Sequence, residues 1–158
     1  MMGTRCTTTV WSQSGDTPLL TFYRQFDGYP SGHGQELADF LNGYEIVNGI
    51  VVSREPRPMK QANGMSCLAA QIITHFKSNV ENYDYANSEV GASRVLREGD
   101  HIGSIYIQPH DTAGNEAFHY DVKYNRDNEQ LLIVVDNQSE WTVEEFDGDY
   151  IEQRLGWS

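Results

Sequence analysis

Met65, Leu68, Ala69, Ile72, Ile73 and Phe76 recur at three- and four-residue intervals, the spacing that aligns apolar side chains along one face of an α-helix. A helix over roughly Gly64 to Lys77 is predicted, and its apolar stripe has to be covered. Flanking segments supply the cover. Arg5 to Trp11 is rich in Thr and Val, and Pro18 to Phe26 alternates apolar residues with others. Turn formers fill Ser12 to Thr17 between them, so an opening β-hairpin is expected.

Later in the chain, Ile102 to Gln108, Ala117 to Tyr124 and Leu131 to Asp136 read as three strands. They are separated by Asp111 to Glu116 and Asn125 to Asn128, both rich in turn residues, which predicts an antiparallel meander. Phe118, Tyr120, Val122 and Tyr124 alternate with His119, Asp121 and Lys123, whereas Leu131 to Val135 is apolar throughout and suits a central strand buried on both faces. A shorter helix is expected from a Ser31 cap to about Asn42, with Gly43 as its stop and Leu37, Phe40 and Leu41 facing inward. Gly49 to Pro58 reads as a linker or edge segment, and Asn79 to Gly99 as a long surface connection. The expected class is α+β: an antiparallel sheet, built from the N-terminal hairpin and C-terminal meander, packed with two main helices. At 158 residues this suits a single globular domain, 1–158.

No run approaches the ~18 apolar residues of a membrane span, and the start of the sequence lacks the apolar stretch of a signal peptide. A cytoplasmic protein without membrane partners is expected. Cys6 and Cys67 form no CxxC pair and are read as buried thiols.

Charge is distributed unevenly around the net value of −12. Residues 1–60 hold five basic and six acidic residues, but Asp127 to Glu152 holds nine acidic residues and no Lys or Arg. Such a surface repels nucleic-acid backbones, so direct nucleic-acid binding is not expected.

The most chemistry-laden segment is Tyr23-Arg24-Gln25-Phe26-Asp27-Gly28-Tyr29-Pro30-Ser31-Gly32-His33-Gly34, placed between a strand and a helix. A helix start offers unpaired N–H groups and partial positive charge, and Gly32 and Gly34 leave room for an anion to approach. Arg24 offers a forked donor, Tyr29 a ring or hydroxyl, and His33 a donor in either protonation state. Arg24, Asp27, Tyr29, Ser31, Gly32, His33 and Gly34 therefore form the expected ligand site. The structural alternative is an Asp27–Arg24 pair inside a rigid turn.

The string Tyr23 to Pro30, followed by Gly32 and Gly34, resembles a motif of an uncharacterised family of small proteins from tailed bacteriophages and some prokaryotes. A helix similar to Gly64 to Ala70 and a Tyr-containing late strand similar to Phe118 to Val122 extend the resemblance. It implies a phage origin and no particular reaction.

Enzyme signatures are sparse. The five histidines, His33, His75, His101, His110 and His119, form no HExxH pair. His110-Asp111-Thr112 resembles half of a two-histidine phosphodiesterase, and His101, His110, His119 and Asp121 are the residues that strand pairing could bring to a metal. No catalytic residue, metal site or cofactor is assigned. The first expectation is a phage-type accessory protein, with counter-defence as one setting, that sequesters a small anionic, nucleotide-like ligand. Its pocket would be closed by homo-oligomer contacts through Trp141 and Trp157. The alternatives are an acidic interaction module occupying a basic site on a host protein, and a phosphoester hydrolase.

Overall fold

The computed structural model describes residues 3–49, 60–78, 105–111, 114 and 116–157. The Ile50 to Pro58 linker, the Asn79 to Gly99 connection, His101 and Thr112 lie outside the described residues.

The hairpin forms as expected from β1 (Cys6–Trp11) and β2 (Pro18–Arg24), paired antiparallel. Its turn is closed by the Ser12 N–H donating to the Thr17 carbonyl at 2.8 Å, and the Asp16 carboxylate accepts from the Ser12, Ser14 and Thr17 hydroxyls. A π-helical turn, Pro30–Gly34, leads into α1 (Gln35–Leu41). The turn begins after Tyr29, and no side chain caps it, so Ser31 is not the expected cap. Gly43 ends the helix at φ +89°, a backbone region that favours glycine.

Two short strands, β3 (Glu45–Val47) and β4 (Gln61–Asn63), pair in parallel as a separate ribbon. The predicted amphipathic helix is α2 (Gly64–Ser78). The remaining elements are β5 (Ile105–Ile107), β6 (Phe118–Asn125), β7 (Gln130–Val135), β8 (Ser139–Thr142) and α3 (Gly148–Leu155). In the main sheet the strand order is β5-β2-β1-β6-β7-β8. The fold is α+β, with three α-helices among the described residues and a main sheet that is antiparallel except at its centre.

Three details differ from the expected meander. β5 pairs with β2 at the far edge and does not touch β6. The C-terminal meander is β6-β7-β8, its last strand made from Ser139–Thr142. β1 and β6 run parallel, with Cys6, Thr8 and Val10 opposite Phe118, Tyr120 and Val122. Helical crossovers permit this pairing, because α1 and α2 intervene between the two strands. The parallel register also keeps the core-facing residues of both strands on the same side.

That side holds the core. Phe22, Leu37, Leu41, Leu68, Ile72, Tyr120, Ile133 and Ile151 are fully buried, and α2 packs across β1 and β2. Phe40 is partly buried against the cluster. Cys6 is buried, and desolvation pushes its thiol pKa up; Cys67 is only half-buried, its sulfur accepting from Gln71 at 3.5 Å. No described helix is long and apolar enough to cross a membrane.

Leu68→Ala or Ile72→Ala removes a fully buried aliphatic side chain and leaves a cavity between α2 and the sheet. Each is expected to lower unfolding free energy by about 2–5 kcal/mol in denaturant titration. An unchanged midpoint would mean that α2 does not cover the sheet.

Candidate functional site

Arg24 stands at the end of β2 and faces the helices. Its Nη1 donates to Glu36 Oε2 at 2.7 Å and lies 3.3 Å from His33 Nδ1, while its guanidinium sits 5.7 Å from the Phe76 ring centre. Arginine only donates, so Nδ1 of His33 must accept and the ring proton resides on Nε2. That Nε2 donates to the Thr8 hydroxyl at 2.7 Å. His33 is fully buried and held neutral: desolvation, reinforced by the adjacent Arg24 charge, moves its pKa well below the ordinary imidazole value. The Arg24 partner is therefore Glu36, twelve residues onward on α1, and not Asp27.

The rest of the turn closes on its own chain. Asp27 adopts φ +59°, its carbonyl accepts from the His33 N–H at 2.7 Å, and its carboxylate accepts from the Tyr29 hydroxyl at 3.1 Å. The Tyr29 ring stacks on Trp157 at 5.4 Å, and the Ser31 N–H donates to Glu152 Oε1 of α3 at 2.7 Å. A Cβ on Gly32 would strike the Asp27 carbonyl and the Tyr29 ring, and one on Gly34 would strike Phe146 and Tyr120. Six of the seven residues of the expected site lie in the turn between β2 and α1, and Arg24 reaches His33 from the end of β2. Two of the site's donors, Arg24 and the Ser31 amide, already meet carboxylates of the same chain.

Sequence reasoning missed Glu36, Thr8 and Glu152. The usable signal was the acid one helical turn past Gly32, available to a cation on the preceding strand; nothing local marks Glu152.

The opposite face of the sheet, away from the core, carries a second polar cluster. Thr7 and Thr9 of β1 stand in register with His119 and Asp121 of β6. Asp121 is buried, with its Oδ1 accepting from Trp11 Nε1 at 2.7 Å and bonded to His119 Nε2 at 3.0 Å. Burial raises the Asp121 pKa, but the bonds from His119 and Trp11 outweigh it and hold the carboxyl below its usual value. An ionised carboxylate accepts only, which places a proton on His119 Nε2, while Nδ1 meets the Thr7 hydroxyl at 2.7 Å. His110 lies 3.3 Å from both the Thr9 and Thr21 hydroxyls and edge-on to Trp11.

The sheet thus gathers His119, Asp121 and, through Trp11, His110. Among the described residues no three His, Cys, Asp or Glu side chains form a group able to hold a metal ion. Both ring nitrogens of His119 are spent within the network.

The acidic run forms the third feature. Asp127 and Glu129 lie in the β6–β7 turn, Glu140 on β8, and Glu144, Glu145, Asp147 and Asp149 between β8 and the first turn of α3. These seven carboxylates are all exposed. The Val143 N–H donates to the Leu131 carbonyl at 3.2 Å, which returns Glu144 to the end of the sheet that holds Glu129. Asp147 caps α3 by accepting from the Tyr150 N–H at 3.2 Å.

An α+β protein with an acidic end is what the fold and its surfaces define. No family model, curated protein or solved structure matches the chain.

Arg24→Ala would strip Glu36 and His33 of a largely buried partner, and is expected to cost about 1.5–3 kcal/mol in chemical denaturation. A variant as stable as the parent would show that the pair contributes nothing to folding. Histidine burial also sets an acid dependence. Because the folded pKa of His33 lies below its unfolded value of about 6.5, stability falls as pH drops through that value, by at most ~1.4 kcal/mol per pH unit for this group. His33→Gln is expected to flatten that slope between pH 6.5 and 5 in melting curves, and an equal slope would assign it to other groups.

Proposed function

We propose that this chain is an acidic interaction module that occupies a basic site on a partner protein. The observation that carries the reading is the set of seven exposed carboxylates between Asp127 and Asp149, in a span without Lys or Arg. They lie on the β6–β7 turn, on β8 and along the chain from β8 into the capped start of α3, so their spacing is set before a partner arrives. Fixed charges of one sign accelerate encounter with an oppositely charged surface and reject like-charged ones. The resemblance of the Tyr23 to Gly34 motif suggests a phage setting, in which the partner would be a basic nucleic-acid-binding protein of the host.

Sequestration of a small anion at Arg24 to Gly34 has less support, because Glu36 and Glu152 stand where the anion would bind. A hydrolase would draw on His119 and Asp121, whose polar atoms already bond to each other, Thr7 and Trp11.

The test is calorimetric titration with an eight-residue oligolysine peptide at two salt concentrations. Affinity should fall at least about tenfold between 50 and 300 mM salt, since exposed charges are screened within ~10 Å at 0.1 M. It should be lost when the seven carboxylates become amides. Absence of binding at low salt, or binding that ignores both salt and amidation, overturns the proposal.

A further inference from the structure

Three segments that are distant in sequence meet at the acidic end of the sheet. The loop after α1 brings Gly43 and Tyr44, the β6–β7 turn and the start of β7 bring Glu129 and Leu131, and the chain leaving β8 brings Val143 and Glu144. Between them is a recess of about 150 Å³. Pockets for drug-sized ligands run to roughly 300–1,000 Å³, so this one suits a single side chain. Its walls combine buried Leu131 and half-buried Val143 with the polar side chains of Gln130 and Thr142 and two exposed carboxylates at the rim. Neither Glu129 nor Glu144 forms an ion pair with a Lys or Arg among the described residues. The Tyr124 phenol nearby is raised first by burial and further by the charges of Glu129 and Glu45, with Arg126 opposing them.

An occupant must match both kinds of wall. An apolar side chain would strand two carboxylates beside it without counter-charge, and a small inorganic cation would leave the Leu131 and Val143 surface unused. A flexible alkyl stem ending in an ammonium satisfies both, burying its methylenes against the aliphatic wall while its charge stays at the acidic rim.

We infer that the recess takes the side chain of a lysine from the partner protein, as the anchor around which the wider acidic surface docks. This rests on the acidic-module reading and gives it a defined centre, since interface energy concentrates in a few pocketed residues surrounded by a weaker rim. Charge complementarity selects the partner chemistry: two unpaired carboxylates here, and five more exposed ones on the β6–β7 turn, on β8 and on the approach to α3 and its first turn.

The experiment follows backbone amide shifts of the full chain during titration with acetyl-Gly-Lys-Gly-amide, alongside the same tripeptide carrying norleucine. Expected are shifts at Gly43, Tyr44, Leu131 and Val143 with the lysine peptide and none with norleucine. Glu129→Gln/Glu144→Gln should lose them, whereas Glu140→Gln/Asp149→Asn, with the same change in net charge, should keep them. Retained amide dispersion in both variants confirms folding. Shifts that persist in the first pair, fail equally in both pairs, or appear equally with norleucine overturn the inference. If oligolysine binds with the expected salt dependence while the lysine tripeptide leaves these four residues unmoved, the recess is not the anchor and the acidic module stands. If oligolysine does not bind at low salt, the parent reading falls and this one with it.

Discussion

A guanidinium placed beneath an aromatic ring and against the sheet has to be neutralised, and the arrangement around Arg24 follows from that requirement. Burying an unpaired charge costs several kcal/mol, so the pairing with Glu36 fixes where α1 lies against β2. His33 then has an acceptor role imposed on one nitrogen and a donor role on the other, which draws the π-helical turn to Thr8 on β1. Strand, turn and helix are joined by one polar chain within the hydrophobic core. Tyr120 extends it, donating to the Gly28 carbonyl at 2.7 Å from the strand beside β1.

The two faces of the sheet solve different problems. On the helix side, Cys6, Val10, Phe22, Val122 and Ile133 give a dry interior in which Thr8 and His33 satisfy each other. On the other side, Thr7, Thr9, Trp11, His119 and Asp121 form a network in which buried polar atoms find partners across the parallel β1–β6 ladder. A one-residue slip in that ladder would bring His119 and Asp121 inside and turn Tyr120 out, so the register is held by both faces at once.

Carboxylates meet two fates in this molecule. Glu36, Asp121 and Glu152 are turned to donors of the same chain and serve the fold. Those from Asp127 to Asp149 face water on turns and a helix start. Asp136 falls between these, accepting from the His119 N–H at 2.7 Å, with burial raising its pKa above the usual carboxylate value. Apart from Asp147, which caps α3, the exposed set serves mainly to concentrate negative charge that repels itself, and a positively charged surface would complement it.

Periodicity made α2, the opening hairpin and the alternation of β6 legible, because each depends on side chains a few residues apart. The cap and stop of α3, Asp147 and Gly156, and the Asp136-Asn137 pair that turns β7 into β8 were readable by the same local rules. They were obscured by the density of acids around them. The acidic run was also plain in the sequence, since charge is counted without knowing the fold. What only the tertiary structure decided is which distant groups meet: Arg24 with Glu36 in place of Asp27, Ser31 with Glu152, β5 with β2, and β1 in parallel with β6. Local sequence sets the face a side chain occupies on its own element. Its partner across the core is chosen by how whole elements pack to bury apolar surface while leaving no buried charge alone.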